Sequence, residues 1–264
     1  VTVDAHVLLS PAVTNLRDVG GRATADGGTV ATGIAYRSAE LTDESVVTDA
    51  TLADLGIRTV VDLRTDAERD PRPDRLPAGA QHLVLDVLAD LPVSAAAQLP
   101  ALFAAGRVDE FARLDLMGEM LAVYRHLVLD RSAQAAYAAF VRTVLDPERT
   151  PVLFHCTAGK DRTGWAATIL LLAAGVDEAG ASEEFLAVNP AVRATFAPLL
   201  DRFTDAGGDP DVLRPMLEVR VEFFEAALAA VREQFGTFEG YLTDGLGLSL
   251  IEVEALRRTL RTNG

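Results

Sequence analysis

The segment that most constrains this chain runs from Pro151 to Ala174. Pro151-Val152-Leu153-Phe154 is a short apolar run that predicts a buried strand, and the uninterrupted apolar stretch from Trp165 to Ala174 predicts a buried helix. Between them lies His155-Cys156-Thr157-Ala158-Gly159-Lys160-Asp161-Arg162-Thr163-Gly164. A strand, a glycine-bearing turn and a helix in that order aim backbone N–H groups and a helix N-terminus at one point, which makes an anion site. A cysteine at the start of the turn and an arginine six residues later make that site reactive.

Each residue type in the turn has a physical reason to be there. Loop N–H groups and a helix N-terminus near Cys156 stabilise a thiolate. The planar fork of Arg162 can hold two phosphate oxygens at once. Gly159 and Gly164 permit a tight turn and a close backbone approach. Thr163 can donate its hydroxyl to the sulfur, and His155 is expected to hydrogen-bond within the loop rather than to carry protons. These groups favour displacement at phosphorus through a cysteinyl-phosphate, followed by attack of water. A general acid must then protonate the leaving oxygen. Asp161, inside the loop, and Asp86, at the exit of a neighbouring strand, are both candidates. The plainer alternatives are that Asp161 caps the helix or pairs with a cation, and that Asp86 is a solvated strand end.

Composition narrows the alternatives. The formal net charge of −15 argues against general binding to nucleic acid or to an anionic membrane, so an anionic substrate must be drawn by a local cluster. Lys160 is the only lysine among 24 basic Lys and Arg residues, which suggests that its compact point charge is specifically placed. A single cysteine precludes an internal disulfide and leaves that thiol free for chemistry. No apolar window is long enough for a membrane span, and the N-terminal stretch lacks a basic region followed by an apolar core. A cytoplasmic location is the default expectation. A nucleotide-binding P-loop does not fit, because position 154 is Phe and position 161 is Asp. The four histidines, at 6, 82, 126 and 155, show no metal-ligand spacing, so no metal or cofactor is expected.

The rest of the chain predicts one α/β domain spanning 1–264, with a mostly parallel central sheet, flanking helices and a helical C-terminal half. Strands are expected at Thr29–Tyr36, Arg58–Leu63 and Gln81–Asp86, with Arg64 and Asp86 at the strand ends that face the ligand crevice. A helix capped by Thr42 or Asp43 should run to Leu55 and close at Gly56. Residues 91–129 read as two helices, either a lid insertion or an ordinary packing layer. Tyr137, Phe140, Val141, Val144 and Leu145 mark an amphipathic helix after Asp130. Helices are also expected near 177–187, 190–205, 210–234, 237–244 and 248–261.

The loop resembles the signature of the cysteine-based protein tyrosine phosphatases, and its Lys-Asp pair resembles a bacterial branch that includes secreted mycobacterial enzymes. Asn15-Leu16-Arg17-Asp18-Val19, Tyr36-Arg37-Ser38-Ala39-Glu40-Leu41, Val61-Asp62-Leu63-Arg64, Leu186-Ala187-Val188-Asn189 and Gly240-Tyr241-Leu242 resemble other landmarks of that branch. The resemblance implies a tyrosine-phosphatase fold and metal-free catalysis, with Cys156 as nucleophile and Arg162 as phosphate clamp. It also implies phosphate binding by residues 157–162, Asp161 as general acid, and a two-helix lid, which favours that reading of 91–129. The implied substrate is a phosphorylated protein. Lys160 in the loop also resembles phosphoinositide phosphatases, so an inositol lipid or a small metabolite phosphate (sugar or nucleotide) is the alternative substrate, and a non-catalytic phosphate-binding module is a third reading that Cys156, Arg162 and a candidate acid together disfavour. The branch includes exported members without an obvious signal, and nothing in the sequence bears on oligomeric state.

Overall fold

The computed structural model describes residues 6–91 and 114–262. Its strands are β1 (Arg17–Asp18), β2 (Ala35–Ser38), β3 (Thr59–Asp62), β4 (Gln81–Val84) and β5 (Val152–His155), arranged in one sheet in the order β1–β2–β5–β3–β4. β1 is antiparallel to β2, and the other pairs are parallel. β5 is therefore central, and every residue of β2, β3 and β5 is buried. Strand alternation sends these side chains to opposite faces. Tyr36, Val60 and Leu153 pack on one face with Leu41, Val46, Leu52 and Ile57, whereas Ala35, Val61, Val152 and Phe154 join the larger core on the other.

The helices are α1 (Ala50–Asp54), α2 (Asp66–Arg69), α3 (Leu116–Leu129), α4 (Arg131–Leu145), α5 (Asp161–Ala174), α6 (Glu178–Leu186), α7 (Asn189–Asp205), α8 (Pro210–Leu217), α9 (Val221–Phe235) and α10 (Leu250–Thr259). α5 is the core helix and stops at Gly175, whose φ of 94° lies in the left-handed region that favours glycine. Trp165 on this helix donates to the Tyr241 hydroxyl at 3.1 Å, fixing the C-terminal part of the chain to the central layer. No helix of the described residues is long and apolar enough to cross a membrane.

Three expectations differ in detail. The strand expected at Thr29–Tyr36 begins only at Ala35, because Gly33 has a φ of 77° and its N–H is bound by Asp18. The segment Thr42–Leu55 splits into a 3-10 turn, Glu44–Thr48, and α1, because Asp43 and Asp49 each cap their own element. The helix expected over 210–234 is interrupted at 218–220. There Asn189 exchanges two hydrogen bonds with the backbone of Val219, at 2.9 and 3.0 Å, so that residue cannot join a helical ladder. Residues 92–113 of the expected insertion lie outside the described residues. The rest of it, α3, packs against α9 and α8.

Candidate active site

The turn after β5 is shaped by its neighbours. Gly159 has a φ of 66°, and a Cβ there would lie 2.2 Å from the carbonyl oxygen of Ser38, so only glycine fits. Its own carbonyl accepts from Arg37 Nη2 at 2.7 Å and Asn15 Nδ2 at 3.0 Å. Arg37 is buried on β2 and is fixed in turn by Glu184 at 2.8 Å. Two landmarks distant in sequence thus pin one carbonyl of the loop. Gly164 faces Phe185, and a Cβ there would lie 3.0 Å from its ring.

Cys156 is buried, only 2% exposed, at the base of this turn. α5 begins at Asp161 and has no side chain capping its N-terminus, so the N–H groups of its first turn remain available to an anion. Thr163 is fully buried, and its hydroxyl has no hydrogen-bond partner. Ala158 and Thr157 border a cleft of about 260 Å³, whose far wall includes Val192 and Phe196 of α7.

Arg162 is oriented by a residue that sequence reading did not single out. Glu68 accepts from Arg162 Nη1 at 2.6 Å and Nη2 at 2.7 Å. The same carboxylate accepts from Thr157 Oγ1 at 2.5 Å and from the N–H and hydroxyl of Thr65, both at 3.0 Å. Burial opposes charge on Glu68, but the hydrogen bonds and positive charge of Arg162 outweigh it and hold the carboxyl well below the usual range. Gripped end-on, with Nη1 also 3.4 Å from the Leu63 carbonyl, Arg162 has its Nε–H and second Nη2–H without a partner among the described residues, a side-on fork that suits two oxygens of a phosphate. Tyr137 steadies the backbone of Arg162 by donating to its carbonyl at 3.1 Å. The only sequence signal for Glu68 was local: Thr65-x-x-Glu68 is a capping box that starts α2 just beyond β3.

The two candidate acids have different surroundings. Asp161 Oδ1 accepts from the Tyr124 hydroxyl at 2.7 Å, and Lys160 Nζ lies 2.8 Å from Oδ2. Tyr124 belongs to α3 and is fully buried, stacked on Phe223 and edge-on to Phe185. Burial, and then the charge of Asp161, push its hydroxyl well above the ordinary tyrosine range, so it remains a donor. Asp86 is partly buried, with Oδ1 accepting from Leu88 N at 2.9 Å. Burial raises its carboxyl above the ordinary range, although Arg162 and Arg69 act in the opposite direction.

Two expected site residues point elsewhere. Lys160 is 5% exposed and donates to the Met216 carbonyl at the end of α8 at 2.6 Å, so its ammonium joins Asp161 to that helix. Arg64 is fully buried below the loop rather than in the crevice. It binds Asp62, Asp74, Glu40 and the carbonyl of Arg72, because the charged residues around the strand ends outcompete the crevice for its five donors. Asp62, Asp74 and His155 bring three possible ligand atoms within 4.8 Å of one another, but the Arg64 guanidinium donates to both carboxylates and already supplies the cation.

A strand, an anion-binding turn and a buried helix, with a cysteine at the base and an oriented arginine at the rim, define a phosphatase of the cysteine-dependent kind. A model of the tyrosine phosphatase family matches residues 9–262, and the chain belongs to that family. It is 32% identical over 251 residues to a Cupriavidus necator protein named as a tyrosine-protein phosphatase, covering 94% of this chain and 87% of that one. It is also 32% identical over 275 residues to the triple specificity protein phosphatase PtpB of Mycobacterium tuberculosis, covering 95% and 97%. A tyrosine-protein phosphatase of Nostoc commune is 30% identical over 223 residues, covering 81% and 69%.

Proposed function

We propose that the protein hydrolyses phosphomonoesters on tyrosine and other protein side chains, with Cys156 as nucleophile and Arg162 as phosphate clamp. The observation that carries this reading is the end-on grip of Glu68 on Arg162, which leaves a planar fork free in the loop that holds Cys156. In the first step Cys156 Sγ attacks phosphorus, the bond to the leaving oxygen breaks, and a carboxylic acid protonates that oxygen. In the second step water attacks the cysteinyl-phosphate, releasing phosphate and restoring the thiolate. The N–H groups of residues 157–162 and the side-on fork of Arg162 hold the three equatorial oxygens as charge builds on them. Thr163, whose buried hydroxyl has no partner among the described residues, turns it to the sulfur in this reading as the thiolate departs.

Asp161 and Asp86 compete for the acid role. Asp161 is in the loop and faces Tyr124 and Lys160, and burial raises the carboxyl of Asp86. The acid matters most when the leaving group is poor. Its Asn variant therefore slows alkyl phosphates far more than activated aryl phosphates, and the other variant slows both alike.

The apolar wall of Val192 and Phe196 beside the loop suits the side chain and backbone that carry the phosphate. The name triple specificity protein phosphatase borne by PtpB supports a range wider than phosphotyrosine. The second reading, an inositol phosphate or a small metabolite phosphate, requires Lys160 to leave Asp161 and Met216 and face the substrate. Comparing kcat/KM over phosphotyrosine, phosphoserine and phosphothreonine peptides, inositol phosphates and sugar phosphates decides between them. A lead of ~100-fold, about 2.7 kcal/mol, for the peptides supports the protein-phosphatase reading, and the same lead for inositol phosphates overturns it.

A further inference from the structure

Among the described residues, Asn15 is the one non-glycine residue with a positive φ, 57°. Most side chains avoid that left-handed region, and asparagine tolerates it. Its neighbours hold it there: Val13 and Leu16 are buried with Tyr36 and Leu41, and the carbonyl of Thr14 accepts from Ala39 N at 3.0 Å. From this position the side chain meets a residue 144 places along the sequence, where Nδ2 donates to the Gly159 carbonyl at 3.0 Å. Arg37 Nη2 donates to the same oxygen at 2.7 Å, while its Nη1 donates to Glu184 at 2.8 Å. Both lone pairs of that carbonyl are therefore taken. In a trans peptide the carbonyl and the following N–H share one plane and point in opposite directions. Fixing the Gly159 oxygen against β2 and the N-terminal segment thus aims the Lys160 N–H the other way, into the turn. That N–H donates to no acceptor among the described residues.

We propose that Asn15 and Arg37 are positioning residues: they set the plane of the Gly159–Lys160 peptide, so that the Lys160 N–H meets an oxygen of the phosphoryl group in transfer. The proposal rests on residues 155–164 being the phosphate site, and it deepens that reading by giving one donor of the loop a fixed orientation and naming what fixes it. The two holders differ in what their removal would disturb. Arg37 is fully buried, and losing it strands the buried carboxylate of Glu184, so its variants mix positioning with folding. Asn15 is uncharged and borders the cleft beside Thr157 and Ala158, so its side chain can be removed with little else changed. The plain alternative is that Asn15 stands there only because asparagine tolerates a positive φ. Glycine tolerates it as well, so that alternative leaves Asn15→Gly with full activity. The positioning role predicts a loss, because the peptide plane gains freedom to rotate and the N–H must be re-aimed as charge builds on the phosphoryl oxygens.

Lys160 is the only lysine in the chain, so protein labelled with 15N-lysine gives a single backbone amide signal. That signal should move downfield when inorganic phosphate or orthovanadate is added to the parent, and should move less in Asn15→Gly. Vanadate, which mimics the five-coordinate transition state, should bind the variant ~10-fold more weakly. For p-nitrophenyl phosphate kcat should fall ~10-fold while KM stays within about twofold, the split expected when a contact made in the transition state is lost. Asn15→Asp keeps the shape but, at about pH 7, sets a carboxylate oxygen against the Gly159 carbonyl, and its losses should exceed those of Asn15→Gly. Folded variants whose vanadate affinity and kcat match the parent overturn the proposal. Should the variants not fold, the parent decides: a Lys160 amide signal that moves with phosphate supports the proposal, and one unmoved at saturating phosphate overturns it. A parent that binds phosphate but turns over no phosphomonoester would overturn the proposed function instead, and the amide signal would still report on the Gly159–Lys160 plane.

Discussion

Glu68 binds Arg162 through two parallel hydrogen bonds of 2.6 and 2.7 Å, although the two residues are 94 positions apart in sequence. The contact ties α2, at the end of β3, to the first turn of α5, at the end of β5. Arg162, the proposed clamp for phosphate, is thus preset by a second strand of the sheet, and little ordering would remain when substrate arrives.

Glu68→Gln keeps the shape and loses the charge. It should lower kcat/KM for aryl phosphates ~10–100-fold, about 1.4–2.7 kcal/mol, and weaken inhibition by inorganic phosphate. Steady-state kinetics checks this, with thermal unfolding as the control for fold.

Tyr124→Phe removes one hydroxyl and leaves the ring between Phe223 and Phe185. The expected loss of stability is ~1 kcal/mol, the net worth of one hydrogen bond. If Asp161 is the acid, kcat for alkyl phosphates should change more than kcat for p-nitrophenyl phosphate, because the hydroxyl sets the position of Oδ1. Parallel kinetics on the two substrates provides the readout.

His82 Nε2 lies 3.8 Å from an Asp62 oxygen and 3.3 Å from an Asp74 oxygen, and these two carboxylates raise its pKa to about 9. The folded value exceeds that of the unfolded chain. The stability it contributes is therefore complete below about pH 6.5 and is lost as pH rises through about 9. With the ring 31% exposed, the contribution is on the order of 2 kcal/mol. Urea unfolding at several pH values should show this loss, and His82→Gln should flatten it.

Gly159→Ala forces a Cβ against the Ser38 carbonyl at a backbone conformation with φ of 66°. Backbone cannot yield there as a flexible side chain would. The expected cost is ~3 kcal/mol or more, together with loss of the loop geometry and of turnover. Comparing unfolding free energy and activity with those of Gly27→Ala tests the claim, since Gly27 also has a positive φ, 86°, but nothing within 4 Å of its Cβ position.

What the sequence made legible was local. The strand, turn and helix from 152 to 174 are contiguous, so hydrophobic pattern and glycine placement revealed them together with Cys156 and Arg162. The parts that escaped are long-range. Glu68 shows only as a capping box and Asp74 only as part of a proline-rich loop. Tyr124 looks like one more core aromatic until α3 is packed beside Asp161. Lys160 stands out in the sequence because it is alone, but its direction depends on the Met216 carbonyl, 56 residues away. The strand-end position of Arg64 predicts the crevice, and a buried site rich in carboxylates holds it under the loop instead. The break at 218–220 depends on Asn189, a partner that no periodicity within 210–234 contains.

The most direct test of the account is to quench the enzyme with acid during turnover of an aryl phosphate and map the phosphorylated peptide by mass spectrometry. The account predicts a phosphoryl group on Cys156, and neither phosphoenzyme nor turnover in Cys156→Ser. Turnover retained by that variant, or a phosphoryl group on another residue, would contradict it.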